Sequence, residues 1–197
     1  MVPIGDIVDV IDDEQGTPWM SFGSFWTGLK LVKLDASRTK LAEPQEWHTI
    51  GRRDRRAYTP DEEAGPAQIE APFIMKKNGW YYLFVSFDHC CPAARSDYRI
   101  MVGRSRELPG PYLDRDGRRM DQGGGSEVLR GTARWPGPGH NSAYTFDGKD
   151  WLVFHAYDVE DGGRPKLKVL PLAFDAGGWP VGEVEWRAGS GGAPAGG

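Results

Sequence analysis

The chain has 197 residues, enough for one substantial core, with 39% hydrophobic residues and eight Trp, seven Tyr and eight Phe. Its 27 Gly and 15 Pro favour turns and short strands over long helices, and a formal net charge of −4 leaves no basic footprint for nucleic acid or an anionic membrane. No apolar run approaches the roughly 20 residues that span a bilayer, and the opening MVPIGDIVDVIDDEQG lacks the basic and apolar regions of a signal peptide. Either the protein is cytoplasmic or its true N-terminus is missing.

Ile7 to Ile11 reads as a first short strand. A polar turn with Gly16 follows, Trp19 leads an aromatic strand, and Leu29 to Leu34 alternates as a third. Glu46 to Ile50 weakly signals an outer fourth strand. The basic cluster Arg52, Arg53, Arg55 and Arg56 is surrounded by Asp54, Asp61, Glu62 and Glu63 and reads as a solvated loop. The plan then recurs: Ala71 to Met75, the Asn78-Gly79 turn, Trp80 to Ser86, Tyr98 to Gly103 and an outer run at Glu127 to Leu129. It recurs again as Ser142 to Phe146, Asp147-Gly148, Trp151 to His155 and Leu167 to Leu170. The tryptophans Trp19, Trp80 and Trp151 are spaced 61 and 71 residues apart. Adjacent Cys90 and Cys91 cannot staple distant segments, and two ligands alone do not make a zinc site; they read as small apolar packing residues.

Repeating four-stranded antiparallel units that cannot each bury their own face are β-propeller blades. The predicted fold is all-β, about three blades over residues 1–187, with a disordered Gly/Ala-rich tail at 188–197. Closed propellers have roughly four to eight blades, so three imply a fragment with open edges that invite aggregation or pairing with another chain.

The chemistry centres on Glu70. It sits at the start of a blade's first strand, where propellers gather ligands, and Ile69, Ala71 and Phe73 alternate with Glu70 and Pro72, turning the carboxylate off the apolar face. A carboxyl held partly dry against aromatics suits a general acid. A surface Glu at a strand end is the alternative on residue chemistry alone.

Four segments resemble endo-acting arabinanases of glycoside hydrolase family 43, which are five-bladed propellers: Ser21 to Leu31, Ile69 to Ile74, Tyr81 to Asp88 with Cys90-Cys91, and Gly137 to Ser142. They occur in the family's order, within a similarity running from about Asp6 to Trp179. The resemblance implies an inverting hydrolase of α-1,5-linked L-arabinan, with Glu70 as its acid. It places the Asp that tunes the acid at Asp6, with Asp9 and Asp12 as competitors, and the Asp base upstream in a missing N-terminal blade needed to close the propeller, so the chain alone is expected to be inactive. It implies that His140 faces the central channel and contacts a hydrated calcium ion; a loop His is otherwise commonly a hydrogen-bonded structural residue. Phe25 and Trp26 offer aromatic faces for a sugar, with core packing an equal reading for Phe25, and Ser24, Asn141 and Ser142 offer hydrogen bonds to its hydroxyls. His155 and Asp158 match a family segment without a catalytic assignment. The implied partner is arabinan or an arabino-oligosaccharide, and the full-length protein is expected to be secreted. An exo-acting arabinofuranosidase or β-xylosidase of the same family, or a non-catalytic sugar-binding propeller piece, are the alternatives.

Overall fold

The structure, a computed structural model, describes residues 8–25, 27–54, 59–60, 63 and 67–182. Asp6, Trp26 and the 188–197 tail lie outside the described residues. The first sheet is a meander of β1 (Val8–Asp12), β2 (Pro18–Phe22), β3 (Leu29–Lys33) and β4 (Trp47–Gly51). The second repeats it with β5 (Ile69–Lys77), β6 (Trp80–Phe87), β7 (Arg99–Ser105) and β8 (Ser126–Arg130). The third has three strands, β9 (Gly139–Phe146), β10 (Lys149–Asp158) and β11 (Arg164–Pro171), followed by a small hairpin of β12 (Ala173–Phe174) and β13 (Pro180–Val181). All pairings are antiparallel. The predicted all-β blades are therefore present, and the weakly signalled outer strands at Glu46–Ile50 and Glu127–Leu129 form as β4 and β8.

Strand β6 shows why the sheets stack. Tyr81, Leu83, Val85 and Phe87 join Trp19, Leu29, Leu31 and Ile50 of the first sheet in one buried cluster. Tyr82 and Phe84, on the opposite face, join Leu152, Phe154 and Ala156 of β10 in another. Successive residues point to opposite faces, so a strand covered on both sides becomes an unbroken apolar run. Each fully buried side chain of this kind contributes about 1.5–3 kcal/mol, which makes the middle sheet the adhesive of the molecule. The inner strands β1, β5 and β9 lie side by side along the stack.

Two hairpins are set locally. Asn78 and Gly79 (φ 51° and 71°), and likewise Asp147 and Gly148 (φ 50° and 71°), make two-residue turns with both central residues left-handed, matching strand twist. The first hairpin has a wider loop, held by Asp13, whose carboxylate accepts from the Gln15 and Thr17 N–H groups and the Trp19 indole, each at 2.9 Å. The tryptophan repeat does not survive in phase. Trp80 is the first residue of its strand, Trp19 the second and Trp151 the third. They occupy different faces: Trp19 is buried in the core, and Trp80 lies half-buried beneath the guanidinium groups of Arg104 and Arg106.

A second correction concerns the cysteines. Cys90 and Cys91 form a disulfide with each other, with Cys91 exposed and Cys90 half-buried. Adjacency prevents stapling of distant segments, but not closure of a ring between neighbours.

Candidate active site

Glu70 is the second residue of β5 and pairs with Ser86 of β6. The next pair is Phe73 with Phe84, so Ala71 and Pro72 together oppose Val85 in a β-bulge. Pro72 has no N–H for the ladder, and Ala71 takes φ 54°. The alternation read from the sequence holds for Ile69, Glu70 and Ala71 and breaks at Pro72, which is buried while Phe73 is half-buried. The extra residue shifts the phase beyond it and leaves Glu70 half-buried at the strand's head.

β9 carries the same irregularity at the matching place. Gly139 pairs with His155 and Ser142 with Val153, so His140 and Asn141 oppose Phe154. His140 has φ 51°, and its N–H donates to the Ser86 hydroxyl at 2.9 Å. Phe25 (φ 50°) donates its N–H to the Ile69 carbonyl at 2.8 Å, and Asp88 (φ 71°) donates to the Gln68 carbonyl at 3.1 Å. Four non-glycine residues in the left-handed region thus surround Glu70. Each costs roughly 1–3 kcal/mol and persists only where surrounding structure enforces it, a pattern that collects at functional sites.

The partner of Glu70 is neutral. The Tyr98 hydroxyl donates to Glu70 Oε1, and among the described residues no cation pairs with this carboxylate. Other buried carboxylates are spoken for. Asp88 is clasped by Arg53 at 3.0 Å and Arg99 at 2.8 Å, and Asp158 is paired with Arg134. Tyr98 is 1% exposed; burial first, and then the adjacent Glu70 charge, push its hydroxyl well above the usual phenol range. Tyr157 is raised by burial and by the same carboxylate. His155, between them, is held below its usual pKa by burial and by His140, whose ring centroid is 6.4 Å away. Two buried nitrogens here, Asn141 Nδ2 and His155 Nε2, have no hydrogen-bond partner among the described residues.

Among the residues expected from sequence, the structure brings Glu70, Phe25, His140 and Asn141 together through Ile69 and Ser86; Asn141 Oδ1 accepts from Ser86 Oγ at 3.3 Å. Ser24 lies half-buried beside Phe25, and Ser142 half-buried just past the β9 bulge. The competitors of Asp6 are committed elsewhere. Asp9 Oδ2 accepts from the Ile74 N–H at 2.8 Å, tying β1 to β5, and Asp12 pairs with Arg38 at the outer end of the hairpin. His140 is exposed, and among the described residues no group of three or more His, Cys, Asp or Glu side chains is placed to hold a metal. Calcium prefers six to eight oxygen ligands, so the described side chains do not fit a chelated calcium. Tyr98, Ser86 and Tyr157 were not legible as site residues. The glycines Gly137 and Gly139 signal close approach, but not what approaches.

A family model described as Glycosyl hydrolases family 43 matches residues 8–180. The extracellular exo-α-(1→5)-L-arabinofuranosidase ArbA of Cellvibrio japonicus is 54% identical over 184 residues, covering 91% of this chain and 53% of its own length. The extracellular endo-α-(1→5)-L-arabinanase 1 of Bacillus subtilis is 41% identical over 168 residues, covering 85% and 47%. Among solved structures, an α-L-arabinanase of Cellvibrio cellulosa complexed with arabinohexaose superposes with a TM-score of 0.85 at 54% identity, covering 90% of this chain and 56% of that one. The chain spans about half the length of the curated relatives it matches.

Proposed function

Because the chain belongs to the glycosyl hydrolases family 43, we propose that it carries the general acid of a site that hydrolyses α-1,5-linked L-arabinan with inversion. The observation that carries this reading is the setting of Glu70: a half-buried carboxyl with a neutral phenol as its partner, ringed by strained backbone. Among the described residues no Arg or Lys is locked to this carboxyl, unlike Asp88 and Asp158. Glu70 protonates the glycosidic oxygen as the C–O bond breaks, and a water attacks the anomeric carbon from the opposite face. That water needs a second carboxylate as base, roughly 6.5–9.5 Å from the acid. With Asp88 and Asp158 held by arginines and Asp9 by backbone, the reading places the base outside the described residues.

Azide tests this, because it is already anionic and needs no base. With arabinotriose, azide attacks the anomeric carbon, the glycosidic bond breaks and the leaving oxygen takes the Glu70 proton. The expected product is a glycosyl azide of inverted configuration, seen by NMR, and lost in Glu70→Gln. Retained configuration sinks the inverting mechanism, and an unchanged Glu70→Gln sinks the acid assignment. Hydrolysis in plain buffer places the base within this chain. A relative at 54% identity is named as an exo enzyme and one at 41% as an endo enzyme. The second reading is therefore release of single arabinose units, which monomer-only products from linear arabinan would select.

Relatives named as extracellular and the Cys90–Cys91 disulfide support an oxidising, extracellular setting. No helix among the described residues is long and apolar enough to cross a membrane.

A further inference from the structure

We infer that Tyr98 is the positioning residue of Glu70: by donating to Oε1 it leaves Oε2 as the oxygen that holds and delivers the proton. This rests on the reading of Glu70 as the acid.

The direction of the Tyr98–Glu70 hydrogen bond is fixed at the carboxylate end, and a neighbouring network holds the strands around it. The His140 backbone N–H can only donate, and it donates to Ser86 Oγ at 2.9 Å. Ser86 is 0% exposed, and its hydroxyl donates to Asn141 Oδ1 at 3.3 Å. The Glu70 carboxylate can only accept. Tyr98 is therefore the donor to Oε1. When Glu70 takes up a proton, Oε1 stays engaged as acceptor and the proton settles on Oε2. Burial keeps the phenol protonated, so the donor is not lost as Glu70 ionises.

The ring is aimed by packing. Tyr98 N–H bonds the Ser96 hydroxyl at 3.3 Å, Ser96 Oγ donates to the His89 carbonyl at 2.7 Å, and the ring stacks on His155 with centroids 6.0 Å apart. Gly139 leaves the space it occupies, since a Cβ there would meet the ring. The other titratable groups packed around this site are Tyr157 and His155 on β10 and His140 on β9. Among the described residues none of them hydrogen-bonds Glu70, so the phenol is the contact whose removal isolates the effect.

The test is a pH titration of the Glu70 carboxyl carbon by NMR in the full chain labelled at glutamate, with the resonance assigned by its loss in Glu70→Gln. A donor to a carboxylate favours the ionised form, so folded Tyr98→Phe shifts the Glu70 midpoint upward. A midpoint that does not move overturns the proposal. If Tyr98→Phe fails to fold, the unmodified chain decides: a slowly exchanging Tyr98 hydroxyl proton coupled to the Glu70 carboxyl carbon supports the proposal, and absence of that coupling overturns it. These readouts need no turnover. An inactive Glu70 in the azide reaction would sink the acid assignment while leaving the titration shift intact, so the two failures are distinguishable.

Discussion

The ring of Tyr98 lies where a side chain at Gly139 would project: a Cβ on Gly139 would sit 2.0 Å from Tyr98 Cδ1 and 2.1 Å from Cε1. One residue's lack of a side chain thus sets the place of another's ring, and through it the hydrogen bond to Glu70.

Gly139→Ala should destabilise the chain through this overlap. Gly139 is not among the glycines at positive φ, so its cost is steric, about 1–3 kcal/mol for an overpacked site. Gly148, at φ 71° with nothing within 4 Å of its Cβ position, has only backbone strain to lose, about 1 kcal/mol. Urea unfolding of the two alanine variants separates the mechanisms, and equal small losses would contradict the steric one.

Asp88 is a buried charge between Arg53 and Arg99, with 7% of its side chain exposed. Asp88→Asn tolerates the left-handed backbone but removes the charge, at a cost of about 2–3 kcal/mol, below the full penalty for a broken buried pair because both guanidinium groups reach water. Asp88→Ala should cost more, since it adds backbone strain. Denaturant midpoints give the order.

Asp9 titrates in the opposite sense to most structural carboxylates. Burial raises its pKa above the ordinary 3.8, against the lowering effect of the Ile74 N–H. The folded chain therefore holds this proton more tightly than the unfolded one. The contribution to stability is present below the unfolded pKa and is lost as pH rises through the folded value. Asp9→Asn keeps an acceptor for Ile74 and cannot ionise. It should match the parent chain in acid and exceed it in stability at neutral pH, as urea unfolding at both pH values would show.

Reduction of Cys90–Cys91 should release two thiols to a thiol reagent, with none reactive beforehand. Loop-closure stabilisation grows with the length of chain enclosed, and here nothing lies between the cysteines. The melting temperature should fall by no more than a few degrees, about 1 kcal/mol or less.

Calcium should stabilise the chain little, because the described side chains leave a hydrated ion at His140 to be held mainly by water. A thermal melt with chelator should overlay one with millimolar calcium. An upward shift with calcium would show that the folded state binds the ion through other donors.

The sequence by itself determined the strands, the hairpins and the place of Glu70. Asn78-Gly79 and Asp147-Gly148 carry their turn geometry locally, and the motif Ile69 to Phe73 carries Glu70 at a strand start whatever lies around it. The tryptophans fall at different strand positions because a turn's length, not its composition, sets which residue opens the next strand. The two bulges were not legible because they arise between paired strands, where one strand holds a residue more than its partner. Only the tertiary structure decided who touches Glu70. Tyr98 is 28 residues away in the chain, and it arrives because β5, β7 and β9 converge where Gly139 leaves room. Such contacts depend on the packing of three strands at once, and no local pattern of residue types encodes that.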